Sequence, residues 1–174
     1  MAPLLRAALT ALALLILLPA AARADDCSGQ TLDRTFLPWG DPALYTPVPE
    51  GWTLAGGAAV VDGNQPYLAG DSSLSLPAGS SATTRPLCIG LEHPTVRFFA
   101  RNTGNPLSLL QVSAVAGGAE LPLGQIPAGR EWAPSPPLLL AVNLLGADSV
   151  AFKFAADGGS WSVDDVYVDP YRKG

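Results

Sequence analysis

The chain consists of short runs in which apolar and polar side chains alternate, and no long segment repeats apolar residues at helical spacing. In residues 150–155, three apolar side chains share one face while Lys153 lies on the other. Residues 73–76 and 96–101 alternate in the same way. Each of these runs predicts a β-strand with one buried face.

Further strands are predicted between turn signals rich in Gly, Pro, Asn, Asp and Ser, at residues 53–61, 88–90, 109–115, 138–145 and 161–168. Residues 109–115 are expected to lie beside the strand at residues 96–101. The nearly all-apolar residues 138–145 follow a Pro-rich stretch and predict a fully buried strand. So many short strands at this spacing predict an all-β domain, a sandwich or a barrel.

The predicted last strand carries two adjacent acids, Asp164 and Asp165, although Asp is a poor strand former. Trp161 and Val163 fall on one face and Val166 on the opposite face, so the apolar phase changes across the acids. A β-bulge, or a central strand covered on both faces, would explain the change. Adjacent strand residues face opposite ways, which disfavours these acids as a catalytic pair across one bond.

Residues 1–24 have the pattern of a cleaved signal peptide. Arg6 precedes an apolar run at residues 7–22, and the small residues Ala22 and Ala24 flank Arg23 at the expected cleavage site. The apolar run is shorter than the roughly 20 residues that a membrane span needs. We therefore expect a secreted or cell-envelope protein with one mature domain, residues 25–174, and no membrane insertion after cleavage.

The charge balance is acidic: 10 basic and 15 acidic residues give a net charge of −5. Without Arg6 and Arg23, 8 basic residues face 15 acidic ones, a net charge of −7. Such a domain repels phosphate backbones, which argues against a nucleic-acid partner. Divalent cations and neutral ligands remain compatible with it.

The two cysteines, Cys27 and Cys88, predict one disulfide in an oxidising compartment. It would tie the mature N-terminus to the body of the domain. Zinc is a poor alternative, because His93 is the only histidine that could complete a site with these thiols.

The run Trp-Ser-Val-Asp-Asp-Val-Tyr-Val at residues 161–168 resembles the last strand of galactose-binding-like jelly rolls, including many carbohydrate-binding modules. The segment Glu50-Gly51-Trp52 resembles a compressed form of the opening motif of such modules. Nearly the whole mature chain also resembles a group of uncharacterised exported bacterial proteins, for example at residues 164–171. The resemblance implies a two-sheet antiparallel β-sandwich of jelly-roll type.

A structural calcium ion is a second implication of this resemblance. Glu50, Asp164 and Asp165 would supply hard oxygen ligands if the first and last strands meet. The alternative is that these acids cap turns or pair with Arg97 or Arg101. The choice between them depends on which donors face the carboxylates.

Non-catalytic recognition of carbohydrate, including envelope glycans, is the leading functional hypothesis. Sugar rings stack on aromatic side chains, and Trp39 and Trp132 lie in Pro- and Gly-rich stretches that favour exposure. Tyr67 is a third candidate ligand-binding residue. No catalytic residue is assigned, because the sequence contains no nucleophile motif and no metalloprotease motif.

A structural or adhesion-type protein of the cell envelope is the alternative. Residues 97, 99 and 101 (Arg, Phe and Arg) would then form an exposed stripe that binds another protein.

Overall fold

The computed structural model describes residues 30–89, 94–140 and 149–169. These ranges contain one short 3-10 helix, Leu37–Trp39, and thirteen strands. The strands are β1 (Thr46–Pro47), β2 (Trp52–Ala55), β3 (Ala59–Asp62), β4 (Ser72–Leu76), β5 (Ser81–Thr84), β6 (Leu87–Cys88), β7 (Thr95–Asn102), β8 (Leu109–Ala116), β9 (Ala119–Ile126), β10 (Ala133–Pro134), β11 (Leu138–Leu139), β12 (Ser149–Asp157) and β13 (Trp161–Asp169).

The strands form two antiparallel sheets. Sheet I has the order β10-β7-β13-β4-β3, with β11 also paired to β7 and β1 paired to β13. Sheet II has the order β2-β5-β12-β8-β9, with β6 paired to β12. This arrangement confirms the predicted all-β, two-sheet antiparallel sandwich of jelly-roll type.

The main hydrophobic core lies between the sheets and follows the alternation in the sequence. In β12, Val150, Phe152 and Phe154 are all fully buried, while Lys153 lies outside and pairs with Glu120 at 2.7 Å. The inward side chains of β7 and β13 meet this set from sheet I. Burial of such side chains contributes roughly 1.5–3 kcal/mol each.

A β-bulge in the middle of β13 explains the phase change of its apolar residues. The pairing of β13 with β7 shifts between Asp164 and Tyr167, and Asp165 has a left-handed φ of 45°. The extra residue lets Val163 and Val166 both join the core. Strand β13 is also central in sheet I, so both sequence-based explanations apply.

The outer face of sheet I carries a second, smaller hydrophobic cluster. Phe36, Tyr45, Phe99 and Trp132 form it, and the chain before β1 covers the face. Phe99 is therefore fully buried. The prediction of an exposed stripe at residues 97, 99 and 101 is wrong for Arg97 and Phe99, which this N-terminal segment and Trp132 bury, whereas Arg101 stays partly exposed.

Two strand predictions differ from the structure, and the sequence did not predict strands such as β5 and β9. Residues 53–61 form two strands, because Gly56 and Gly57 make a left-handed turn (φ 65° and 89°) that carries the chain from sheet II to sheet I. Strand β8 pairs with β12 and β9 rather than with β7, since the chain also changes sheets after β7. Strand β9 was not predicted, since it contains a proline and a glycine, which an edge strand tolerates.

Several predictions lie wholly or partly outside the described residues. The signal peptide at residues 1–24 and Cys27 are outside them, so cleavage and the Cys27–Cys88 disulfide stay predictions. Of residues 138–145, β11 covers only Leu138–Leu139, and Leu139 is exposed. Within the three described ranges, no helix is long and apolar enough to cross a bilayer.

Candidate functional site

The loop between β3 and β4, residues 63–71, organises the surface around the bulge. A backbone hydrogen bond from Gly63 N to Asp71 O (2.8 Å) closes it. Inside it, the fully buried Gln65 accepts hydrogen bonds at Oε1 from Tyr67 N (2.6 Å) and Leu68 N (3.1 Å). These two bonds fix the amide orientation, because they require an acceptor on that side.

Gln65 also joins this loop to both acids of the bulge. Its backbone N–H donates to Asp164 Oδ2 (2.9 Å), and its Nε2 donates to Asp165 Oδ2 (2.5 Å). Asp165 N donates in turn to Asp164 Oδ1 (2.9 Å). The two carboxylates thus converge on one residue, and the expectation that they face opposite ways is wrong because the left-handed Asp165 interrupts the strand alternation.

Burial perturbs both acids. The pKa of Asp164 rises to about 6, first because burial disfavours its charge and further because the Asp165 carboxylate is close, although the Gln65 N–H opposes the rise. Burial also raises the pKa of Asp165, and Glu50 adds a smaller repulsive contribution. No arginine pairs with either acid in the described ranges.

The donor set does not fit the expected calcium ion. The described residues contain no group of three or more His, Cys, Asp or Glu side chains that could hold a metal. Gln65 directs an N–H donor at Asp165 where a cation would need a lone pair. Amide N–H groups therefore donate hydrogen bonds to these carboxylates in the structure. This arrangement differs from a calcium site and from pairing with Arg97 or Arg101.

A cleft of about 400 Å³ opens beside the bulge, between the edge of sheet II at β2 and the edge of sheet I at β3. Trp52, Leu54 and Val60 supply apolar surface to it. The polar residues that line it include Glu50, Asn64, Asp71, Asp164 and Asp165. Glu50 and the two bulge acids thus line one cavity, although the described residues contain no cluster of three such metal ligands.

Trp52 forms the aromatic wall of this cleft and is held in place from behind. It is partly exposed, and its ring meets Phe154 of the core edge-on, with centroids 5.9 Å apart. The lining contains no Lys, Arg or His among the residues that the structure describes. The cleft therefore combines a rigid ring with hydrogen-bonding groups of neutral or negative charge.

The three predicted ligand-binding aromatics come together on the other side of loop 63–71. Trp39 and Tyr67 are 37% and 48% exposed, and their rings meet edge-on at 5.0 Å. Tyr67 Oη donates to the backbone O of Trp132 at 2.8 Å. Trp132 itself is only 8% exposed, so the expectation that it is exposed is wrong: its ring packs into the outer cluster of sheet I.

Two residues of this region were not singled out by the sequence. Gln65 lies in a polar turn, where no pattern distinguishes a buried glutamine from an exposed one. Trp52 forms part of the Glu-Gly-Trp segment, but its sequence context does not distinguish a ligand-binding ring from a packed one. Its role follows only from the approach of β2 to β3.

No protein-family model matches the chain, and no curated protein matches it significantly.

Solved structures share its fold. The CBM22-1 xylan-binding domain from Paenibacillus barcinonensis Xyn10C aligns with a TM-score of 0.51 at 12% identity, over 73% of this chain and 90% of that one. The CBM22-1-GH10 modules of Clostridium thermocellum endo-1,4-beta-D-xylanase 10B, complexed with xylohexaose, give 0.53 at 14%, over 71% and 26%. A glycoside hydrolase family 43 arabinoxylan arabinofuranohydrolase from Bacillus subtilis, in complex with cellotetraose, gives 0.50 at 11%, over 70% and 27%. These matches confirm the jelly-roll fold of carbohydrate-binding modules.

Proposed function

We propose that this protein is a non-catalytic carbohydrate-binding domain whose ligand lies in the cleft beside the bulge. The observation that carries the proposal is the pairing of the Trp52 ring with carboxylate and amide groups around about 400 Å³ of space. Ligand pockets of small molecules have volumes of roughly 300–1,000 Å³ and combine apolar walls with a few polar groups.

The chemistry of this lining suits a neutral polyol. The apolar face of a pyranose ring packs on an aromatic ring, and its hydroxyl groups donate to carboxylates such as Glu50 and Asp71. Asn64 adds an amide, whose Nδ2 also donates to Leu68 O at 3.1 Å. A rigid wall lowers the entropic cost of binding, because Trp52 already rests on Phe154.

The structural neighbours agree with carbohydrate as the ligand class, since one is described as a xylan-binding domain. The arrangement of acids agrees with a non-catalytic role. Asp164 and Asp165 both accept hydrogen bonds from Gln65, which gives both acids a structural role in the bulge.

We also propose that the protein is secreted or located in the cell envelope. A secreted or cell-envelope location agrees with the signal peptide predicted at residues 1–24 and with the acidic surface. The alternative, adhesion to an envelope protein, loses its sequence argument because the Phe99 face is covered.

A glycan array followed by calorimetry with xylo- and cello-oligosaccharides tests the proposal. We expect Trp52→Ala to weaken binding about tenfold or more, since the sugar ring loses its stacking contact with the indole ring. Because Trp52 also packs on the core, Glu50→Gln and Asp71→Asn serve as surface variants that leave the fold intact. Leu107→Ala, at an exposed position outside the cleft lining, is the matched control.

Two results would decide against the proposal. Binding that is unaffected by all three cleft variants would place the ligand elsewhere. No binding to any glycan, together with specific capture of one envelope protein, would favour the adhesion alternative.

A further inference from the structure

Arg101, near the end of β7, has no polar side-chain partner among the residues that the structure describes. Its Nε is buried and makes no hydrogen bond, and no ion pair or hydrogen bond involves its side chain across residues 30–89, 94–140 and 149–169. Its guanidinium carbon lies 4.9 Å from the ring centroid of Trp132. Arg101 as a whole is partly exposed, which leaves part of the residue accessible to a ligand.

Arg97, four residues earlier on the same face, is an arginine whose guanidinium is hydrogen-bonded and ion-paired within the fold. Its Nη1 pairs with Asp41 at 2.6 Å, and its Nε donates to Ser135 O at 3.0 Å. Its guanidinium also lies over the Phe36 ring at 4.3 Å. Arg97 thus has a structural role that its own neighbours satisfy, whereas Arg101 keeps only the stacking contact.

The unpartnered arginine borders the exposed aromatic rings. Tyr67 is hydrogen-bonded to the backbone of Trp132, the residue on which Arg101 stacks. Trp39 extends the same surface through its contact with Tyr67. We call this set, Trp39, Tyr67, Trp132 and Arg101, the aromatic–arginine surface. Trp39 and Tyr67 both pack on the buried Phe99, so the rings are held from below.

We propose that the aromatic–arginine surface binds a sugar that carries a carboxylate, a uronic acid residue, and that Arg101 recognises the carboxylate. The planar guanidinium offers two parallel N–H donors that match the two carboxylate oxygens. Contact with the Trp132 ring supports the guanidinium. The exposed Tyr67 ring packs against the apolar face of the sugar, and Trp39, which meets Tyr67 edge-on at 83°, lies at its side.

The overall charge makes this a local and selective site. The chain has a net charge of −5, so it does not attract polyanions in general. Affinity for an acidic sugar must therefore come from Arg101 and the rings beside it. This inference rests on the proposed function only in taking the ligand to be a carbohydrate, since it uses a different surface from the cleft.

Calorimetry of the full mature chain with trigalacturonate and trimannuronate tests the inference. We expect binding that Arg101→Gln weakens about tenfold or more, and that methyl esterification of trigalacturonate weakens to a similar extent. Arg101→Lys keeps the charge but loses the two parallel N–H donors, so its affinity should lie between those of the unsubstituted protein and Arg101→Gln. Lys153→Gln removes the same charge from sheet II and should leave binding unchanged. Circular dichroism melts confirm that each variant is folded.

The outcomes separate this inference from the proposed function. The inference would be overturned if the Arg101→Gln variant still bound the uronates, or if methyl-esterified trigalacturonate bound as tightly as the free acid. It would also be overturned if the protein bound no uronate while it still bound neutral oligosaccharides through Trp52. Uronate binding that is lost with Arg101 but not with Trp52→Ala would support it, even if the cleft binds nothing.

Discussion

Replacement of Gln65 by alanine should destabilise the protein more than any surface substitution. The side chain is fully buried and donates to Asp165 at 2.5 Å while it accepts from Tyr67 N and Leu68 N. Loss of the amide leaves one carboxylate and two backbone N–H groups short of a partner. Such groups cost about 1–3 kcal/mol each when they stay dry. The loop lies near the surface, where water replaces some of the lost bonds, so we expect a loss of about 3 kcal/mol.

Urea unfolding followed by tryptophan fluorescence measures this loss, provided that the slope with denaturant is unchanged. The matched control is Gln125→Ala on β9, an exposed glutamine whose removal should cost less than about 0.5 kcal/mol. If Gln65→Ala is as stable as this control, the hydrogen-bond argument for the bulge is refuted.

A second variant separates hydrogen bonding from packing. Gln65→Glu keeps the shape but places a third carboxylate against Asp164 and Asp165. We expect it to be less stable than Gln65→Ala at pH 8 and to recover at pH 5, where the clustered acids take up protons. The same stability at both pH values would show that packing, not charge, sets the cost.

Further predictions concern charge, the second cluster and metal. The pKa of Asp164 and of Asp169 is raised to about 6, chiefly by burial, so the folded protein binds protons that the unfolded chain, with a pKa of 3.8, releases. The free energy of unfolding should therefore rise as pH falls from about 7 to about 4, by about 2 kcal/mol for Asp164 alone. Urea titrations at stepped pH measure this rise, and a flat profile would contradict it. Asp164→Asn should remove the part of the rise that comes from Asp164. Asp41→Asn should cost about 2–4 kcal/mol in the same assay, because the buried Arg97 loses its only carboxylate within the described ranges; a neutral effect would show that the pair is solvated. Phe36→Ala should cost about 3 kcal/mol and raise proteolysis of the segment before β1, since its ring packs in the outer cluster; unchanged proteolysis would mean that other residues hold the segment. Calcium or EDTA should leave the melting temperature unchanged, and a clear rise with calcium would show that the amide network is not the only way to satisfy the bulge.

The aromatic clusters explain why the N-terminal segment is a structural part of the domain. Phe36 meets Tyr45, Phe99 and Tyr167 at centroid distances of 4.8, 5.5 and 5.7 Å. These contacts cover the outer face of sheet I, and Trp39 and Tyr67 pack on the same layer of rings through Phe99. Stability of the second cluster and exposure of the candidate sugar-binding rings are therefore coupled.

The sequence by itself determined the fold class and the anomaly in β13. Alternation of side chains along β7 and β12 follows from the two-residue period of a strand, so it can be read from a single chain. The phase change across Asp164 and Asp165 likewise follows from local order, and it indicated an irregularity at these residues, with a bulge as one of two explanations.

Only the tertiary structure decided how the functional surfaces are assembled. Gln65 reaches Asp165 across one hundred residues, and Trp52 faces the bulge because a glycine turn moves the chain between sheets. The burial of Trp132 in the outer cluster depends on the same docking of distant segments, as does its contact with Arg101. Strand periodicity is local, whereas burial and partner choice depend on which remote segments meet, and no local pattern encodes that.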